Sequence, residues 1–185
     1  IISDALRFET MKELEQRIAQ ENRMETYMKP AMLCVQPSYT QLGMAALLPH
    51  RVLSYEKESD EVFADGVSTK GTANRTKILQ NTVPKSTAIK AEEFLTVCNK
   101  EWVKDYDLVY IYSDTIDKVG DVLATETQVF KATEDEMDKI VRIIKAIRDA
   151  NGYNILITAD HGYIYQNETL DETDFTDFKA QGGTC

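Results

Sequence analysis

The sequence predicts an α/β domain with a largely parallel sheet, helices on both faces and a small β-hairpin insertion. Three observations lead there. Short apolar runs rich in β-branched and aromatic residues recur along the chain, the strongest being Leu108-Val109-Tyr110-Ile111-Tyr112. Between them lie segments with three- and four-residue apolar spacing, the strongest over 134–150, where Met137, Ile140, Val141, Ile144 and Ile147 recur. Strands that alternate with helices pair in parallel, because the helix supplies the crossover. Finally, carboxylate, imidazole and hydroxyl side chains follow directly on several of the runs. Open parallel sheets place their sites at those strand ends.

Taken in order, Ile1-Ile2-Ser3 reads as the end of a buried strand, and a helix follows with Leu6, Leu14 and Ile18 on one face. Residues 31–35 (Ala-Met-Leu-Cys-Val) form a strand-like run closed by Pro37, which cannot continue a central strand. Residues 41–48 read as a helix stopped by Pro49. Residues 51–66 read as the hairpin, with 52–55 and 61–64 as its arms and Asp65-Gly66 closing it. Helices are expected over 72–79 and 87–99, then the strand at 108–112. Thr133 and Glu136 have capping-box spacing for the helix over 134–150, which Asn151-Gly152 ends. Residues 154–158 form a last buried strand, and the acidic stretch 168–177 is expected as surface loop.

The chain has 185 residues, enough for a single domain over 1–185. It begins without Met and ends on Gly182-Gly183-Thr184-Cys185, so it is expected to be a piece of a longer protein. No apolar run is long enough to span a membrane and no leader pattern is present. A formal net charge of −10 argues against direct nucleic-acid binding through a basic patch, since phosphate backbones repel such a chain. Cys34, Cys98 and Cys185 are far apart and lack metal spacing, as expected of reduced thiols in a cytoplasmic protein.

Four chain segments would bring chemistry to one edge of the sheet: Asp4 after the first strand, Thr40 opening a helix after Pro37, Asp117 and Asp121 one helical turn apart, and Asp160-His161-Gly162 after the last strand. Each has an ordinary alternative. Asp4 and Thr40 are good helix N-caps, Asp117 and Asp121 suit a solvated helix face, and Asp-His-Gly suits a turn. Their combination points to a site for divalent cations.

The same motifs, in the same order, resemble the metal-dependent alkaline phosphatase superfamily. The wording is closest to the PglZ domain of bacterial phage-exclusion systems: Ser3-Asp4-Ala5-Leu6-Arg7, the stretch 38–50, Asp65-Gly66-Val67-Ser68 with Gly71 and Arg75, Ile116-Asp117-Lys118-Val119-Gly120-Asp121, and Thr158-Ala159-Asp160-His161-Gly162. The resemblance implies an alkaline-phosphatase-like core. It implies one divalent ion, zinc or manganese, held by Asp4, Thr40, Asp160 and His161, with Asp117 and Asp121 giving part of a second site. It also implies that Thr40 is the nucleophile, forming a phospho-enzyme that water then hydrolyses, with Arg7 and Arg75 as weaker candidates for the substrate phosphate. The expected activity is phosphatase or phosphodiesterase chemistry on a phosphorylated substrate, alongside other proteins of the defence system. The chain departs from the superfamily pattern in carrying Asp121 where His is common, and it has no His after His161. That departure favours the alternative, a non-catalytic metal-binding scaffold of the same defence complex.

Overall fold

Three parallel strands and one adjoining segment form the frame of the domain. The computed structural model describes residues 1–56, 59–120 and 128–163. Strand β1 (Ile2–Ser3) is followed by helices α1 (Phe8–Ala19) and α2 (Thr40–Ala46). A small sheet of β2 (Leu53–Tyr55), β3 (Val62–Ala64) and β4 (Val67–Ser68) comes next. Then come α3 (Gly71–Gln80), β5 (Ser86–Lys90), α4 (Ala91–Val97), α5 (Lys100–Lys104), β6 (Leu108–Ser113), α6 (Thr115–Gly120) and α7 (Val129–Asp149). The main sheet has the order β1-β6-β5, parallel throughout, with Ser3 opposite Ser113 and Lys90 opposite Tyr112. On the free side of β1, Ser3 N donates to Thr158 O and Thr158 N to Ile1 O, both at 3.0 Å. The bridge between Ile2 and Thr158 is parallel.

The two faces of the sheet are covered differently because side chains alternate along each strand. Ile2, Ala88 and Tyr112 face a core shared with Met44, Ala45 and Leu48 of the α2 region, Ile78 and Leu79 of α3, and the small sheet's Leu53, Val62 and Ala64. On the other face Ile89 and Ile111 meet Ile143 of α7 and Phe94 of α4. Beside them Leu14 and Ile18 of α1 pack on Met137, Ile140 and Ile144 of α7. Burying each of those large apolar side chains contributes roughly 1.5–3 kcal/mol. They are what fix α7 across the back of the sheet.

Several sequence expectations change. Residues 31–35 are not a strand: Met32 and Leu33 are 87% and 99% exposed, and among the described residues no strand pairs with them. Strand propensity without a partner leaves backbone groups to water. Of the helix expected over 87–99, residues 91–97 form α4, but 87–90 belong to the strand β5 that runs straight into it. Thr133 does not cap α7, which begins four residues earlier at Val129; its hydroxyl donates back to Val129 O at 2.8 Å, and Glu136 turns inward, fully buried. Asp65-Gly66 forms the two-residue turn of the β3–β4 hairpin, both residues at positive φ (48° and 81°) as a primed turn demands. The helix end at Asn151 is as expected, with φ at 65°. Residues 154–158 contribute the single bridge at Thr158 rather than a full strand. The stretch 168–177, Asp121 and Cys185 lie outside the described residues, and Cys34 and Cys98 are free thiols. Among the described residues no helix is long and apolar enough to cross a membrane.

Candidate metal centre

Asp4, Asp160 and His161 converge at the carboxyl ends of β1 and of the segment bridged at Thr158. One ligand-type atom from each lies within 4.8 Å of the others. His161 Nε2 stands 3.5 Å from Asp4 Oδ1 and 3.4 Å from Asp160 Oδ2. Thr40 Oγ1 approaches the same ring nitrogen at 3.0 Å. The local chain explains how they meet. After β1, Ala5 adopts the left-handed region at φ 62°, so the chain turns sharply and Ala5 N–H points at Asp160 Oδ1, 3.3 Å away. From the other side α2 leans onto the Asp160 turn. A Cβ on Gly43 would sit 2.9 Å from both Asp160 Cβ and Asp160 O, closer than real side chains stand. Only glycine permits that approach, and Thr40 lies one turn earlier on the same helix.

Neither Asp4 nor Thr40 acts as a helix cap. The α1 N-cap position is Arg7 and the α2 N-cap position is Tyr39, each without a side-chain cap bond. Asp4 and Asp160 are 5% and 4% exposed, and among the described residues Asp4 Oδ1 and Asp160 Oδ2 have no hydrogen-bond partner. Burial, and then the negative charge of Asp160, raise the Asp4 carboxyl from the ordinary 3.8 to about 8. Asp117, a hydrogen bond with Asp160, and Asp114 add to the rise. Two buried carboxylates this close cannot both ionise without a compensating cation. His161 Nδ1 lies 2.9 Å from Gly162 O. A carbonyl only accepts, so Nδ1 carries a proton, and Nε2 faces the acids and Thr40.

The arrangement fits a divalent ion. Two orphaned buried oxygens, an imidazole lone pair and a hydroxyl are an O/N donor set of the kind zinc and manganese accept. Ligands about 2.05 Å from a tetrahedral ion stand about 3.3 Å apart, close to the 3.5, 3.4 and 3.0 Å that separate His161 Nε2 from Asp4, Asp160 and Thr40. The other sequence candidates lie around this group. Asp117 is on α6, partly exposed and outside the triad, and reaches Asp4 through its charge. Arg7 pairs with Glu9 at 3.3 Å and lies 5.3 Å from the centroid of the Tyr163 ring. Arg75 donates Nε to Thr69 O at 2.9 Å and stacks 4.4 Å over Tyr112, so its guanidinium is held against the sheet. His50 Nδ1 contacts Leu48 O at 2.6 Å. Sequence reasoning missed Gly43, Ala5 and Glu136. The signal for Gly43 was a glycine in a short helix three residues after Thr40.

The family model described as the BREX system PglZ alkaline phosphatase-like domain matches residues 1–185. An alkaline phosphatase-like protein BrxZ of Escherichia coli O9:H4 (strain HS) is 43% identical over 181 residues, covering 95% of this chain and 21% of the relative. An alkaline phosphatase-like protein PglZ of Bacillus cereus (strain H3081.97) is 40% identical over 179 residues, covering 94% of this chain and 21% of the relative. The chain thus spans about a fifth of the length of these curated relatives. No solved structure matches it. With a family model matched along its whole length, and an α/β architecture consistent with that core, the chain belongs to the PglZ alkaline phosphatase-like domain family of BREX systems.

Proposed function

We propose that this chain carries the first metal site and the nucleophile of a phosphoric ester hydrolase, a phosphatase or phosphodiesterase, working in the cytoplasm beside other proteins of a bacterial phage-defence system. The observation that carries the reading is the pair of orphaned carboxylate oxygens, Asp4 Oδ1 and Asp160 Oδ2, facing His161 Nε2. Asp4, Asp160, His161 and Thr40 would hold zinc or manganese. When bound, such an ion supplies Lewis acidity, favouring the ionised hydroxyl and offsetting charge on the phosphoryl oxygens. Asp117 and Asp121 would give part of a second site, open and richer in water, which this chain fills less tightly than the first.

Thr40 is the nucleophile in this reading. Thr40 is partly exposed at the first position of α2, and its hydroxyl stands 3.0 Å from His161 Nε2. The Oγ1–P bond forms as the ester's P–O bond breaks, the hydroxyl's proton passing to solvent and the departing alkoxide taking one up to leave as alcohol; water then cleaves Oγ1–P, releasing phosphate and restoring the hydroxyl. His161 is held in the required tautomer by Gly162 O. Arg7 and Arg75 are the weaker candidates for the substrate phosphate.

The test is hydrolysis of a chromogenic phosphodiester and phosphomonoester by the full-length protein with Zn²⁺ or Mn²⁺. Thr40→Ala is expected to lose on the order of 100-fold or more in kcat, with Thr40→Ser retaining part. Full activity in Thr40→Ala overturns the nucleophile assignment. Tight metal binding with no turnover supports the non-catalytic scaffold instead.

A further inference from the structure

A third buried acid lies behind the strand ends, and the chemistry above does not use it. Glu136 of α7 is 0% exposed. Its Oε1 accepts from Ser3 Oγ at 2.7 Å and its Oε2 from Ser113 Oγ at 2.8 Å. Ser3 and Ser113 are register partners on β1 and β6. Each stands immediately before an acid at the carboxyl end of its strand, Asp4 and Asp114. Lys139, one turn along α7, places Nζ 3.8 Å from Glu136 Oε2 and 3.3 Å from Ser113 Oγ, and it also bonds Glu92 and Thr115. One carboxylate therefore joins two strands and a helix directly beneath the site.

We infer that Glu136 is a positioning residue for the metal site: through Ser3 and Ser113 it clamps β1 to β6 at the point where Asp4 leaves the sheet, and so fixes the Asp4 carboxylate against Asp160 and His161. The inference rests on the reading of those three side chains as metal ligands. Two features give the clamp its purpose. First, β1 is two residues long and the chain turns away at once through Ala5, so few backbone bonds hold Asp4 in place; Asp4 N donates to Ser113 O at 2.8 Å. Second, Ser3 directly precedes Asp4, so its 2.7 Å bond to Glu136 fixes the backbone one residue before that carboxylate. A buried carboxylate is a poor choice for stability alone, since apolar residues of similar volume pack as well or better in such places. Its retention here matches a task of orientation.

Zn²⁺ titration calorimetry on the full-length protein, beside thermal unfolding without metal, tests this. Glu136→Leu keeps the volume but leaves both hydroxyls unpaired, and it is expected to weaken Zn²⁺ binding by roughly 10- to 100-fold. Glu136→Gln, whose amide both accepts and donates, is expected to stay within about threefold of wild type. Ile140→Val, which trims the same helix in the core, lowers Tm with Zn²⁺ affinity unchanged. Ser3→Ala removes one arm of the clamp and is expected to weaken binding several-fold; it decides the matter where Glu136→Leu fails to fold. Wild-type affinity in both Glu136→Leu and Ser3→Ala overturns the inference, as does an equal loss of affinity in Ile140→Val at the same drop in Tm. A wild type that binds no Zn²⁺ at all overturns the ligand reading itself.

Discussion

Asp4 and Glu136 are both buried acids, and a single residue, Ser3, separates them: it bonds Glu136 through its side chain and continues into Asp4. Their surroundings differ completely. Glu136 has a hydroxyl on each oxygen and an ammonium at 3.8 Å. Asp4 faces a second carboxylate and keeps an oxygen without a partner. Burial makes either arrangement high-stakes. A satisfied acid holds chain segments together, whereas an unsatisfied one stores repulsion that a cation relieves. The difference separates a structural joint from a candidate metal centre within one turn of chain.

The sharpest way to break that contrast is to remove the charge at Asp4. Asp4→Asn is expected to cost at least about 100-fold in Zn²⁺ affinity by calorimetry, while raising metal-free stability by about 1 kcal/mol. The sign follows from the carboxyl's pKa near 8, above its ordinary 3.8. The folded protein keeps a proton that the unfolded chain has released, so metal-free stability falls as pH rises between those values and levels off above. Below about pH 8, Zn²⁺ binding displaces that proton and strengthens with pH. Urea unfolding of the metal-free protein at about pH 5 and about pH 8 reads the slope, and Asp4→Asn should flatten it.

A smaller effect is expected at Gly43, where backbone rather than charge decides. The added methyl of Gly43→Ala meets the Asp160 backbone, costing about 1–3 kcal/mol against a helix-propensity gain of about 1 kcal/mol. The net loss in urea midpoint should come with weaker Zn²⁺ binding, because α2 must shift and Thr40 moves with it. Smallest is Lys139→Met, which removes the ammonium beside Glu136 but leaves both serine bonds. It should lower stability by about 1 kcal/mol and leave Zn²⁺ affinity within about twofold. A large loss of affinity there would extend the positioning role from the serine bonds to the charge network.

The sequence made the strand ends legible because their acids and imidazole follow apolar runs at short range. Asp4 after Ile2-Ser3 and Asp160-His161 after Ile157-Thr158 could be read without a structure. Residues 86–91 were not legible in the same way. β5 runs into α4 with no glycine or proline between them, so Ala91, Glu92 and Glu93, good helix formers, extended the helix reading backwards across a strand. The run 31–35 misled for the opposite reason, since its composition suits a strand that the sheet never pairs. Glu136 had the spacing of a capping box and was read as local, although its partners are 133 and 23 residues away. Gly43 and Asp160 likewise meet only in three dimensions. Local pattern found the side chains that meet, and long-range contact brings them together.

The bridge between Ile2 and Thr158 bears on how the site comes into being. Asp4 belongs to the start of this stretch and Asp160 with His161 to its far end, so no local folding event can bring them together. Contacts of such sequence separation carry a large loop-closure cost and form late on the path to the native state. During synthesis the chain carries an isolated Asp4 until β5, β6 and α7 have been made. Metal capture at these three side chains would therefore report that the two distant segments have met, rather than nucleate the fold.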